Sequence, residues 1–188
     1  MGYSKRAGHK IPHWVGTKQF MAAAVLQLVE RGTLKLADPI SQYYPDAPAS
    51  WQMITIRHLL THMSGIPSYT GLSDFPAKIS SIDLSPQEII KLTRDQPLEF
   101  EPGTAYAYDN TGYILLGYVI EKVSGLSYAR YLQDDIFSAL GMNDTGFWVD
   151  KSKADRVTSI FTYGPDKHLV SATAAQGQRV IARSDLAS

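Results

Sequence analysis

The sequence contains no cysteine among its 188 residues, which excludes disulfides and thiolate metal sites. It also has no excess charge of either sign, because eighteen basic residues balance eighteen acidic ones. Without a net positive field, neither nucleic acid nor an anionic membrane is indicated as a partner. What remains is the composition of a globular domain, with 44% hydrophobic and 19% charged residues.

Long hydrophobic runs are absent as well. The longest apolar stretches, at 21–29 and 113–120, are shorter than the ~20 residues that a membrane-spanning helix needs. Residues 1–16 carry Lys5, Arg6 and Lys10 but no apolar core of the signal-peptide type. The sequence therefore predicts no stable membrane span and, as printed, no signal peptide.

Hydrophobic periodicity predicts a chain dominated by helices. One helix is expected from Gly16 to about Arg31, where Gly32 ends it. The capping box at 85–88, with proline at the first helical position, predicts a second helix to about Arg94. Short helical pieces are expected near 39–44 and 57–62, and longer apolar helices over 111–123 and 127–140.

Strand patterning occurs only near the end of the sequence. Val157, Ser159, Phe161 and Tyr163 alternate as in a strand, and a Gly-Pro-Asp turn follows at 164–166. A helical lobe without a preceding sheet is unusual as a domain of its own. It is better interpreted as part of a larger α/β protein.

Lys18 lies in the first turn of the first predicted helix. The partial positive charge of a helix N-terminus disfavours an ammonium there by about 0.3–1 kcal/mol. A lysine in such a place can act as the base for a hydroxyl one helical turn earlier, at position i−3. The alternative is a solvated surface lysine whose stem only covers apolar neighbours.

A second candidate segment is Tyr108-Asp109-Asn110, between a Pro-Gly loop and an apolar helix. Each of its residues has a plain structural alternative. Tyr108 could be a packing residue, because the chain has eleven tyrosines. Asn110 could be only the N-cap of the helix that follows.

Four segments in order carry a resemblance to a known family. They are Thr17-Lys18-Gln19-Phe20 with the apolar helix after it, Ile56 to Ile66 (IRHLLTHMSGI), Tyr108-Asp109-Asn110, and Leu140 to Phe147 (LGMNDTGF). Together they resemble the serine β-lactamase and penicillin-binding protein superfamily, in the branch of class C β-lactamases, D-alanyl-D-alanine carboxypeptidases and related esterases. The resemblance covers about Thr17 to Tyr163.

The resemblance implies an α/β (α+β) fold of the serine β-lactamase/DD-peptidase type, of which this chain holds mostly the helical lobe. Much of the antiparallel sheet is expected to be missing, and the chain to be truncated at its C-terminus. In such a serine acyl-transfer enzyme, Lys18 would sit beside the nucleophile and Tyr108 would shuttle its proton. Asn110 would bind the substrate's amide side chain, and no metal or organic cofactor is implied. His58 and His62 are interpreted as structural, because an i, i+4 pair alone is weak evidence for a metal.

The family motif is Ser-x-x-Lys, yet three residues before Lys18 the chain has Val15. Valine has no hydroxyl and cannot form an acyl-enzyme. Thr17 has one, but position i−1 faces a different side of the helix. The third family motif, Lys/His-x-Gly on a later strand, is absent too. The chain as printed is therefore expected to be inactive.

A shift of reading frame accounts for this departure. Back-translated and read one base later, residues 1–16 can encode WGIPNEPDTRFRIGSV, which runs directly into Thr17 and places a serine three residues before Lys18. The hypothesis is a one-base deletion near the codons of Gly16 and Thr17. It divides the chain into an out-of-frame segment, 1–16, and a partial β-lactamase-like domain, 17–188.

Two functions are left open. The first is a β-lactamase-related serine hydrolase, periplasmic or secreted as the full-length parent, acting on a D-Ala-D-Ala peptide, a β-lactam or a small ester. The second is a non-catalytic pseudoenzyme or gene-fragment product that at most binds a ligand. The partner in either case is a small molecule or a peptidoglycan peptide, and the sequence does not indicate an oligomeric state.

Overall fold

A computed structural model describes residues 16–73, 85–143, 145–146, 161–163 and 169–171 of the chain. Its helices are α1 (Gly16–Glu30), α2 (Ile56–Leu60), α3 (Pro86–Arg94), α4 (Asn110–Ser124) and α5 (Tyr128–Tyr131), and α5 continues into a π-helical segment, Leu132–Phe137. Short 3₁₀ turns lie at Ile40–Gln42, Ala49–Trp51 and Tyr69–Gly71. Two antiparallel strands, β1 (Phe161–Tyr163) and β2 (Leu169–Ser171), pair with each other.

The predicted helix ends are confirmed where local chemistry fixes them. Gly32 has a φ of +72°, and Thr33 N donates to Leu28 O. Helix α1 therefore ends at Glu30, within one residue of the predicted end near Arg31. Ser85 accepts from the backbone of Glu88, whose side chain bonds back to Ser85, so the predicted capping box of α3 is present.

The last predicted helix differs from the observed one. Periodicity predicts one helix over 127–140, but the chain widens after Tyr131 into the π-helical segment, in which Ser138 N donates to Gln133 O. Side chains of this region bond to α1: Tyr131 donates to Gln27, and Arg31 forms an ion pair with Asp135. These contacts join residues about a hundred positions apart, which no local pattern encodes.

Helix α4 is the centre of the described core. It contacts α1, α2, α3 and α5, and Leu115, Leu116, Val119 and Ile120 are fully buried along it. Its predicted N-terminal boundary is close to the observed one, and it ends at Gly125, in the left-handed conformation. Helix α1 packs against α4, and a hydrogen bond from Lys18 to Asn110 shows that the first turns of the two helices lie side by side.

The strand prediction is confirmed only in part. Phe161 and Tyr163 lie in β1 as expected, whereas Val157, Ser159 and the turn at 164–166 fall outside the described residues. The residues 1–15, which include Val15 and nearly all of the expected out-of-frame segment, also lie outside them. None of the helices in the described ranges combines the length and the apolar character that a membrane crossing requires.

Candidate active site

The first turns of α1 and α4 bring two of the predicted site residues into direct contact. Lys18 is half-buried, and its Nζ donates a hydrogen bond of 2.8 Å to Asn110 Oδ1. A solvated surface lysine is therefore not what the structure has at this position. The two residues are 92 positions apart in the sequence, so the bond joins two separate motifs.

Tyr108, the third predicted site residue, stands beside the same ammonium. Lys18 Nζ lies 5.0 Å from the centre of the Tyr108 ring and 5.1 Å from the ring of Tyr113. Both distances are within the range of a cation–π interaction. The side chain of Tyr108 is half exposed, whereas Tyr113 is buried and donates its hydroxyl hydrogen to Leu60 O at 3.0 Å. Tyr108 is thus the accessible ring of the pair.

Asn110 is bound at both ends of its amide. Its Oδ1 accepts from Lys18, while Nδ2 donates to the hydroxyls of Ser68 at 3.4 Å and Thr70 at 3.2 Å. Neighbouring Thr111 anchors the same loop, because its hydroxyl donates to Pro67 O at 2.8 Å. A ligand group that accepts from Nδ2 would exchange with the two loop hydroxyls.

The N-cap of α4 is Asp109, so the interpretation of Asn110 as an N-cap is wrong. Asp109 has extended backbone angles, and its Oδ2 accepts from Gly112 N at 2.9 Å and from the Ser64 hydroxyl at 3.2 Å. Asn110 is instead the first helical residue, which frees its side chain to face Lys18. Burial raises the pKa of Asp109 to about 6, although the hydrogen bonds from Gly112 and Ser64 act in the opposite direction.

Comparisons to known proteins show the family of the chain. The model of the Beta-lactamase family matches residues 16–185. A penicillin-binding protein of Bacillus subtilis (strain 168) is 37% identical over 151 residues, which are 79% of this chain and 32% of that protein. The chain belongs to the Beta-lactamase family.

Solved structures of related proteins have the same fold as the described part of this chain. A penicillin-binding protein from Bacillus halodurans superposes with a TM-score of 0.71 at 31% identity, over 83% of this chain and 49% of that one. A D-amino acid amidase from Ochrobactrum anthropi SV3 does so with a TM-score of 0.76 at 30% identity, over 90% of this chain and 49% of that one. The fold class implied by the sequence resemblance is thereby confirmed as that of penicillin-binding, β-lactamase-like proteins, and the chain spans about a third of the matched Bacillus subtilis protein.

The residue three positions before Lys18, where the resemblance implies a nucleophile, is Val15, and it lies outside the described residues. Thr17 carries the hydroxyl nearest to Lys18 in the sequence, and its side chain is exposed on α1. Residues i−1 and i of a helix do not face the same side, so its hydroxyl is poorly placed for transfer of a proton to Lys18. Thr17 as a substitute nucleophile has no geometric support.

Two further residues contact the site, and neither belongs to the set of site residues that the sequence predicts. Tyr113 lies one helical turn after Asn110, a spacing that could have indicated it. His62, which the sequence interpretation treats as structural, also packs at this site: its ring lies 4.7 Å from that of Tyr108 and 5.0 Å from that of Tyr113. His58 fits the structural interpretation, because it caps α2 through a reciprocal pair of bonds with Thr55.

Metal ligands do not gather at this site. Within the residues that the structure describes, no group of three or more histidine, aspartate and glutamate side chains could hold a metal ion. The polar groups around Lys18 are instead amide, phenol and hydroxyl groups. Such groups move protons and bind carbonyl or amide groups of a ligand.

Proposed function

We propose that this chain derives from a serine acyl-transfer hydrolase in which Lys18 and Tyr108 are the proton-transfer groups and Asn110 is a substrate-binding residue. The observation that carries this proposal is the hydrogen bond of 2.8 Å between Lys18 Nζ and Asn110 Oδ1, with the Tyr108 ring beside the same ammonium. An amine and a phenol that share one environment can pass a proton between a nucleophile and a leaving group.

The substrate class we propose is a D-Ala-D-Ala peptide, a β-lactam or a small ester. Two relatives support an amide as the bond attacked: a penicillin-binding protein at 37% identity, whose name refers to a β-lactam, and a D-amino acid amidase whose structure superposes over 90% of this chain. An amide ligand could use Asn110, because an acceptor on the ligand can replace the Ser68 and Thr70 hydroxyls at Nδ2. As a member of this branch the full-length parent would be periplasmic or secreted.

We further propose that the chain as printed forms no acyl-enzyme. The acyl-transfer step needs a hydroxyl oxygen to attack the carbonyl carbon while its proton passes to a base, and Val15 has no hydroxyl. The lack of a hydroxyl at Val15 also favours the alternative function, which is a non-catalytic pseudoenzyme or gene-fragment product that binds ligands without reacting. The extent of the sheet in this chain likewise stays a prediction.

The frame-shift hypothesis for residues 1–16 is part of this proposal. It is supported by the family match, which begins at residue 16, and by the shifted peptide that restores a serine three residues before Lys18. The coding DNA tests it directly. Codons for residues 1–16 that cannot encode the shifted peptide would exclude it.

Covalent labelling separates the two functions. The chain as printed and its Val15→Ser variant are incubated with a fluorescent penicillin and, separately, with a fluorophosphonate, and adducts are measured by intact mass. We expect no adduct on the printed chain, since the nucleophile is absent, and an adduct on Val15→Ser that is lost when Lys18 is also replaced by alanine.

Each outcome decides between the proposals. A covalent adduct on the printed chain would overturn its proposed inactivity. Labelling of Val15→Ser that persists in the Lys18→Ala background would overturn the role of Lys18. If Val15→Ser stays unlabelled while D-Ala-D-Ala still shifts the Asn110 side-chain amide signal, the binding-only alternative is favoured.

A further inference from the structure

His62 has an unusual backbone conformation at the edge of the site. Its φ is +57°, and it is the one non-glycine residue with a positive φ in the described part of the chain. Such a conformation is uncommon for a residue with a side chain, and it persists only where the surrounding contacts enforce it. The contacts of His62 therefore indicate what this conformation achieves.

The backbone and the ring of His62 hold the residues on either side of Tyr108. Ala107 N donates to His62 O at 3.1 Å, and Asp109 N donates to His62 Nδ1 at 3.2 Å. The segment that carries Tyr108 is thus fixed at both of its flanking amides by one residue. The positive φ of His62 lets its carbonyl and its own side chain both serve as acceptors for this segment.

The ring of His62 also packs against both tyrosines of the site. Its centre lies 4.7 Å from that of Tyr108 at 40° and 5.0 Å from that of Tyr113 at 29°, while Tyr106 contacts it edge-on. Those two tyrosine rings are the ones that Lys18 Nζ approaches. The imidazole therefore contacts both of the rings that the ammonium approaches.

The chemistry of the ring suits this role. Nδ1 accepts a hydrogen bond, so the proton of the neutral imidazole is on Nε2. Burial, and then the nearby charge of Lys18, lower the pKa of His62 and favour this neutral form. A protonated imidazole could not accept from Asp109 N, and it would place a second cation beside Lys18.

We propose that His62 is a positioning residue that fixes the Tyr108 ring beside Lys18, through its two acceptors at the flanking amides and through ring packing. In the proposed hydrolase this sets the path of the proton between Lys18 and Tyr108. That consequence rests on the proposed function, whereas the placement of Tyr108 itself does not.

The test uses two variants that both tolerate a positive φ. His62→Asn removes the ring but keeps a side-chain acceptor close to the position of Nδ1, and His62→Gly removes both. His58→Asn is the matched control, because His58 also accepts a backbone hydrogen bond at Nδ1, from Thr55 N. The measurements are NMR spectra of the printed chain with labelled lysine and tyrosine, assigned with Tyr108→Phe, and the exchange rate of the Asp109 amide.

In both His62 variants we expect the Tyr108 ring signals to move and the ring-current shift of the Lys18 side chain to fall by at least about half, since the packing that places the ring is lost. The Asp109 amide should exchange about tenfold faster in His62→Gly than in His62→Asn, which corresponds to 1.4 kcal/mol. His58→Asn should leave all three signals in place.

Unchanged Tyr108 and Lys18 signals in both folded His62 variants would overturn the proposal, and so would equal changes in His58→Asn. None of these signals depends on acyl transfer. Absence of labelling in Val15→Ser together with the expected NMR changes would therefore count against the hydrolase alone, and the reverse pattern would count against the role of His62 alone.

Discussion

Asp109 lies between two candidate site residues, and its carboxyl is buried as the cap of α4. Because burial raises its pKa to about 6 from an ordinary 3.8, the folded state favours the protonated carboxyl. Its contribution to stability is therefore fully present below pH 3.8 and is lost as the pH rises through about 6. Integrated over that shift, the loss is up to about 3 kcal/mol.

We predict that Asp109→Asn removes this pH dependence, because the amide oxygen can still accept from Gly112 N and Ser64 without becoming charged. The measurement is the free energy of unfolding by urea at pH 5 and pH 8, for the variant and the parent chain. Asp46→Asn, at an exposed position, is the control. The contribution of His62 is common to both chains and cancels in the difference. The prediction fails if Asp109→Asn keeps the pH slope of the parent chain.

For individual residues, the sequence predicts which side chains have a chemical role in the proposed site, but it does not predict which side chains fix their positions. Lys18, Tyr108 and Asn110 stand in ordered motifs, so local reading was enough to select them. The roles of His62 and Tyr113 follow from contacts with residues that are distant in the sequence, such as the bond from Tyr113 to Leu60 O. A sequence motif identifies the chemical groups of a site, whereas the residues that position those groups are identified only by contacts in the folded structure.

Among the elements, the two segments 62–65 and 99–107 run side by side and carry Tyr108 to the site. Glu99 N donates to Gly65 O, Gly103 N to Met63 O and Ala107 N to His62 O. Gly65 has a φ of +74°, and a Cβ built on it would lie 2.2 Å from Phe100 O. No side chain fits there without separating the two segments.

We predict that Gly65→Ala destabilises the protein by about 2 kcal/mol or more, because the strained φ adds to the clash with Phe100. The ring contact between Tyr108 and His62 should be lost with it. Gly71→Ala is the matched control, since its added Cβ would meet nothing within 4 Å. Thermal unfolding of both variants provides the measurement, and equal melting temperatures would contradict the prediction.

The elements also show where sequence patterns are reliable. The ends of α1 and α3 were predicted because glycine and the Ser-Glu capping box act within a few residues of each other. The π-helical segment after α5 was not predicted. Its side chains bond to Gln27 and Arg31 of α1, and such contacts leave no trace in the local hydrophobic period.

For the whole molecule, α4 is the helix on which the other described helices pack. Leu116 is fully buried and lies near the middle of α4. We predict that Leu116→Ala lowers the free energy of unfolding by about 2–5 kcal/mol through the cavity it leaves. The unfolding transitions followed by aromatic signals and by helical signals should shift together to lower urea concentration, because one core supports both.

Leu126→Ala is the control for this prediction, because Leu126 is an exposed residue beyond the end of α4. We expect it to change the free energy of unfolding by less than about 0.5 kcal/mol. A loss of equal size in the two variants would show that α4 is not the centre of the core.

The bond between Lys18 and Asn110 has a consequence for how the protein assembles. It joins residues 92 positions apart, so closing this loop has an entropic cost that the packing of α1 against α4 and the π-helical segment helps to offset. A chain in which every helix has formed but α1 has not docked contains all of the chemical groups and no site. The site therefore exists only once α1 has docked on α4, and its signals report that docking.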